Sequence, residues 1–173
     1  ETGEILISGM GELHLEIKEK FIERDWKVPV RSSPPIVVYR ESVAGRGGPA
    51  EGKSPNKHNK LYIAVEPLEK EVYRKIVAGE IPEGVVRRGK DERIVEEMIK
   101  AGMPKEQAKR VVAIKNGNVL IDATRGIVHL GEVMESIING FYDVMDRGPL
   151  AFEKCAGVKV LLVDAKLHED SIH

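Results

Sequence analysis

The sequence predicts a mixed fold, α+β in its opening part and α/β in the remainder, with helices packed against a sheet of roughly four strands. Three observations predict it. Runs rich in β-branched residues alternate along the chain with segments of helical periodicity. Residues 131 to 147 carry a broad apolar stripe (Val133, Met134, Ile137, Ile138, Phe141, Val144, Met145) that Gly148-Pro149 terminates. The closing run "VKVLLVDAKLH" is apolar on both alternating faces, which suits a strand covered on each side.

Taken in order, residues 4 to 8 form an apolar strand, and Gly9-Met10-Gly11 turns the chain. A helix over 12 to 25 then aligns Leu13, Ile17 and Phe21 on one face. "WKVPVRSS" returns as a short strand, restricted to an edge by Pro29. So short a stretch cannot enclose a core of its own and calls for partners. "RSSPPI" is the expected linker, stiffened by Pro34-Pro35. Beyond it, "IVVYRESV" (36 to 43) and "KLYIAVEPL" are strands flanking a glycine-rich loop. Pro67 introduces a helix repeating Leu68, Val72 and Ile76 until Gly79. "EIPEGVVRRGKDE" is a polar connection that carries Arg87, Arg88 and Lys90. A helix from Asp91 presents Ile94, Val95, Met98 and Ile99 and stops at Gly102. Pro104 opens a third helix whose inner side is Ala108, Val111 and Val112. Asn116-Gly117 turns into the strand "NVLIDAT", and strand, long helix and final strand together form a crossover unit.

With 27 basic and 28 acidic residues, a net charge of −1 excludes a uniformly basic nucleic-acid binder but leaves room for a local basic tip. A single cysteine, Cys155, excludes an intrachain disulfide and fits a packed thiol in a reducing, cytoplasmic setting. No apolar run reaches the ~20 residues a membrane helix needs, and no leader pattern opens the chain, which reads as part of something longer.

One motif invites an enzymatic reading. Gly47, Gly52, Lys53 and Ser54 satisfy G-x-x-x-x-G-K-[ST], the phosphate-cradling loop of nucleotide-binding enzymes. Such a cradle needs a helix N-terminus at its exit, and Ser54 leads instead through Pro55-Asn56-Lys57-His58-Asn59 into a strand. The same stretch suggests a different chemistry. Lys53, Lys57, His58 and Lys60 have no acidic residue among them and suit phosphate contacts. If the strands bordering this loop and the tail are neighbours, His168 lies at the same end. Among the other histidines, His14 is structural and His129 caps or packs between strand and helix. His168 and His173 in "LHEDSIH" lack a third fixed donor for a metal.

"TGEILISGMGELHLEI", "SPNKHNKLYIAVEPL" and "VLLVDAKLHEDSIH" resemble, in order, the end of domain III and then domain IV of the ribosomal translocases of the elongation factor G and elongation factor 2 family. The resemblance implies that residues 1–33 are the second half of a ferredoxin-like domain III. Residues 34–173 would be a domain IV resembling a small-subunit ribosomal protein domain, with a left-handed β-α-β crossover, ending inside its tip loop. It implies no catalysis here: GTP and Mg belong to a GTPase domain elsewhere in the parent. Implied partners are the ribosome, where the tip enters the decoding region beside messenger RNA and transfer RNA, and the diphthamide-synthesis enzymes. The implied tip comprises Lys53, Ser54, Pro55, Asn56, Lys57, His58, Asn59, Lys60, His168 and Asp170, and the implied diphthamide site is His173. A free-standing RNA-binding module of the same fold is the alternative.

Overall fold

The computed structural model describes residues 5–168. The chain divides into two units, Glu1–Val38 and Tyr39–His173. In the first, α1 (Glu12–Trp26) is the helix that the Leu13, Ile17, Phe21 spacing predicts. No residue of α1 is buried, and Leu13 is 69% exposed. The strands expected at 4–8 and in "WKVPVRSS" do not form over the described residues. A strand persists only where a neighbour pairs with it, and this short unit supplies none among the described residues.

The second unit is built on six strands: β1 (Gly47–Lys53), β2 (Lys60–Pro67), β3 (Gly84–Val85), β4 (Val111–Lys115), β5 (Asn118–Asp122) and β6 (Val158–Lys166). They form one sheet in the order β1-β2-β6-β5-β4-β3, larger than the roughly four strands expected. All pairs are antiparallel except β5 with β6, which α5 (Leu130–Asp146) connects as a β-α-β unit. The helices α2 (Lys70–Val77), α3 (Glu92–Lys100) and α4 (Lys105–Ala108) cover one face. Their core joins Val72, Ile76, Met98 and Ala108 to Ala64, Val119, Ile121 and Leu161 of the strands. On the other face Ile138, Phe141 and Met145 of α5 meet Leu120, Val158 and Val160. From Val158 to Leu162 the final strand is thus covered on both sides, as its two apolar faces predict, whereas Asp164 and Lys166 further on are exposed. Each large side chain so buried contributes about 1.5–3 kcal/mol.

Three expectations are corrected. The segment 36–43 is no strand. Ile36, Val37 and Val38 are exposed, and only Glu41 makes a bridge, to Cys155. The prolines just upstream remove donors, and Glu41 spends its side chain on a loop rather than a ladder. The glycine-rich stretch is itself β1, not a loop between strands. At Gly48 (φ +85) a Cβ would lie 2.7 Å from the Ile63 carbonyl oxygen, so glycine here lets β1 approach β2. Finally, the third helix stops at Ala108, and Val111 and Val112 open β4 instead of lining a helix. Their β-branched side chains favour the sheet, and the following Asn116-Gly117 (φ 52 and 71) makes the tight hairpin turn into β5. The long helix forms one residue earlier at each end than the expected 131 to 147, and Val144 faces outward.

Two polar devices fix the base of this unit. Lys159, only 3% exposed, points to the α2–α4 side and donates to Glu69 Oε1 and Gln107 Oε1, each at 2.7 Å, with Glu66 at 3.6 Å. That one ammonium ties β2, the start of α2, α4 and β6 together. Glu41 accepts backbone N–H bonds from Leu150 (2.9 Å), Ala151 (2.7 Å) and Glu153 (3.2 Å). A side chain at Gly148 would collide with that carboxylate. Burial alone pushes the Glu41 carboxyl up, but the three N–H groups outweigh it and hold it below its ordinary value. Cys155 is buried with its Sγ donating to the Val144 carbonyl oxygen at 3.4 Å, and burial pushes its thiol up, the surroundings of a packed thiol.

Replacing Lys159 by Met leaves Glu69 facing the interior without its cation and should cost about 3 kcal/mol, measured by urea denaturation at neutral pH. The lowered Glu41 pKa means its contribution is complete above the unfolded carboxyl value and disappears as pH falls through the folded one. Glu41→Gln should therefore melt lower than the parent chain at neutral pH and show a smaller drop in Tm on acidification to about pH 3.5.

Candidate functional site

Beyond Leu162, β6 outruns β5, which pairs only with Lys159 to Leu162. From there on β6 is flanked by β2 alone, and β2 by β1, so one end of the sheet is a three-stranded projection. The register of β6 shifts between Tyr62 and Ile63 because β6 carries an extra residue, Val163. That bulge keeps Leu162 and Ala165 together in the cluster with Leu130 under α5 while the strand continues outward.

The six residues Ser54 to Asn59 close the β1–β2 hairpin at this end. Their fold is dictated by short polar side chains. Ser54 N donates to the Asn59 carbonyl oxygen at 2.9 Å and Lys57 N to that of Ser54 at 2.8 Å. Asn56 Oδ1 accepts from Ser54 Oγ (2.5 Å) and from His58 N (3.1 Å), an Asx-type turn. Ser54 Oγ in turn accepts from Asn59 N at 3.1 Å. Lys57 takes the left-handed conformation, φ 61, at the apex. Pro55 leads the turn with its fixed φ, where no ladder donor is needed.

The hairpin loop and the chain leaving β6 are joined. Asn59 Oδ1 accepts from His168 N at 2.9 Å, and the His58 and His168 rings lie 5.7 Å apart, tilted by 44°. Two segments more than a hundred residues apart in sequence thus form one surface. Lys53 and Lys60 stand at its root. Of the sequence-predicted residues, Lys53 to Lys60 and His168 gather here; Asp170 and His173 lie outside the described residues.

The electrostatics differ from an isolated basic island. Glu51 sits two residues before Lys53 on β1 and pairs with Lys53 Nζ at 3.0 Å and Lys60 Nζ at 3.7 Å. Tyr62 donates its hydroxyl to the same carboxylate at 2.8 Å. The Tyr62 and Lys53 hydrogen bonds hold the Glu51 carboxyl below its ordinary value, while Glu51 raises the Tyr62 phenol. The sequence reading missed Glu51 and Tyr62, and also Lys166, which the register places opposite Lys60. A period-two reading of Glu51, Lys53 and of Asp164, Lys166 would have found the first and last.

The G-x-x-x-x-G-K-[ST] stretch does not fit a triphosphate. Gly47 to Lys53 are strand, so their N–H groups alternate between the β2 side and the open edge instead of converging on one point, and Ser54 passes by a turn into β2 rather than to a helix N-terminus. His129 precedes α5 (φ 63) with Nδ1 2.7 Å from Glu132 Oε1, a terminus role. Among the described residues no group of three His, Cys, Asp or Glu could hold a metal ion. None of the described helices is long and apolar enough to cross a membrane.

Residues 84–173 match the family described as "Elongation factor G, domain IV", and residues 1–34 match "Elongation Factor G, domain III". Over its whole length the chain is 61% identical to elongation factor 2 of Methanocaldococcus jannaschii, covering 24% of that protein. Identity is 55% to the Thermoplasma volcanium elongation factor 2 (24% covered) and 53% to that of Thermococcus kodakarensis (23% covered). The chain therefore spans about a quarter of the length of the curated relatives it matches.

The hydrogen-bonded loop yields a local test. Asn56→Ala removes the acceptor of the His58 amide, and hydrogen exchange there should accelerate by roughly three- to tenfold, equivalent to about 0.7–1.4 kcal/mol. Amides of β5 should be unaffected.

Proposed function

Because the chain belongs to the elongation factor G family, matching its domains III and IV, we propose that it serves as the ribosome-engaging stretch of an elongation factor 2-type translocase. In this reading residues 1–33 belong to domain III and 34–173 to domain IV, with the β5–α5–β6 crossover left-handed and the domain resembling a small-subunit ribosomal protein. The tip meets RNA in the decoding region as transfer RNA and messenger RNA move, in the cytoplasm. This stretch performs no bond-making step.

The observation that carries the reading is the Asn59–His168 hydrogen bond at the end of the three-stranded projection. It ties the hairpin loop to the chain leaving β6 at His168. A mechanical probe needs that property, since a loose loop would absorb displacement instead of transmitting it. Lys57 at the apex, with Lys53 and Lys60 behind it, offers ammonium groups for phosphate oxygens. His58 and His168 add two imidazole rings beside them. Asp170, outside the described residues, is a further proposed contact. His173 is the proposed diphthamide site, recognised by the modifying enzymes, and the added quaternary ammonium would extend positive charge toward RNA. GTP and Mg act elsewhere in the longer protein, since the Gly47–Ser54 stretch does not fit them. The free-standing RNA-binding alternative is the weaker one, given relatives about four times as long.

In a complete factor, replacing Lys53, Lys57 and Lys60 by Ala should slow translocation and lower its salt dependence by about 2 in logarithmic slope, at ~0.7 for each phosphate no longer neutralised. GTP binding should be unchanged. Translocation kinetics across a salt series, with nucleotide titration alongside, measure both. Wild-type rates and slope would refute the assignment.

A further inference from the structure

The pairing registers set Lys53 of β1 opposite Lys60 of β2, and Lys60 opposite Lys166 of β6. Directly opposed residues share a face of the sheet, so three lysines stand in one row across adjacent strands that are about 4.8 Å apart. The row behind is Glu51, Tyr62 and Asp164, again in register. Glu51, as acceptor of its hydroxyl, and Asp164, by its charge, both raise the Tyr62 phenol. Leu61 and Ala165, which alternate with these residues, point to the α5 side. The lysine row therefore occupies the opposite face.

Like charges in opposed positions of a sheet are destabilising. A purely structural surface would alternate signs across the strands. Here compensation is partial: Glu51 serves Lys53 and Lys60, and Lys166 makes no ion pair among the described residues. Lys53 and Lys60 are themselves partly exposed despite their pairing with Glu51. A local rule broken at an exposed surface, without full compensation, marks a surface shaped for something it binds.

We propose that Lys53, Lys60 and Lys166 form a track for the phosphates of a single RNA strand running across β1, β2 and β6. Glu51, held by Tyr62, is the internal anion that those phosphates displace. The proposal rests on the reading that the tip meets RNA, and it assigns to that contact a flat sheet face in addition to the loop apex. The long, flexible lysine stems let the ammonium groups follow a backbone with no base preference. Glu51 in its resting place keeps Lys53 and Lys60 ordered and weakens attraction to anions that do not present several charges at once. It is a selectivity residue for the track, not part of the loop.

The test is fluorescence anisotropy of a labelled single-stranded oligouridylate with the 173-residue chain across a salt series. Lys166→Ala, Lys57→Ala and Glu51→Gln are compared with the parent chain, their folding verified by circular dichroism. Lys166→Ala should reduce the logarithmic salt slope by about 0.7. Glu51→Gln should bind more tightly at low salt with a steeper slope. A parent slope in Lys166→Ala, or Glu51→Gln binding no tighter than the parent, overturns the track. If Lys57→Ala alone lowers the slope, the track fails while the RNA-meeting tip stands; if the parent chain binds no RNA at low salt, both fail. Competition by polyglutamate as effective as by unlabelled oligouridylate would assign the row to an acidic protein segment and likewise overturn it.

Discussion

The register between β2 and β6 governs the second unit. β6 is paired on both sides through Leu162, antiparallel to β2 and parallel to β5, and then continues past the end of β5 with β2 as its companion. Every feature of the tip follows from that overrun. The bulge at Val163 lets the strand keep Ala165 under α5 while it projects. The pairing of Lys60 with Lys166 delivers the His168 amide to Asn59. A register slip of one residue would turn Ala165 to solvent and Lys166 against α5, so the buried face enforces the alignment that the exposed face uses.

Much of this scaffold was legible in the sequence, and the exceptions have physical causes. β6 and α5 are long and strongly patterned, and both appear where periodicity places them. β1 was hidden because strand propensity measures side chains that pack, and "GGPAEGK" has almost none; it is a strand because glycine permits close approach to β2. β4 was obscured by a helix start at Pro104, although Asn116-Gly117 between apolar runs carried the hairpin signal. The reverse failure, at 36–43, shows β-branched residues with no ladder to join.

At the site, the sequence supplied the loop and its charge but not the partners. Lys53 to Lys60 and His168 come together, as neighbouring strands require. What linear order conceals is cross-strand geometry: Glu51, Tyr62 and Lys166 enter only once the register is known. The same register disposes of the nucleotide-loop reading. A pattern of Gly, Lys and Ser acquires phosphate chemistry from the loop-to-helix geometry around it, and in a β-strand those residues have a different role.

The two ends of β6 show how one side chain type can do opposite work. Lys159 is enclosed and satisfied by Glu69 and Gln107, with Glu66 nearby; there the charge is fixed in place and screened little by salt. Its value is to specify one arrangement of strand and helices, and its removal strands carboxylates. Lys53, Lys60 and Lys166 stand in or near solvent, where an ion pair contributes little to stability. Their charge stays available to an incoming polyanion and sensitive to ionic strength. Placing the rigid charge at the base and the exchangeable charge at the tip separates what holds the domain together from what it can grip. On the proposed reading, a polyanion would be gained and released at the tip without loosening the core.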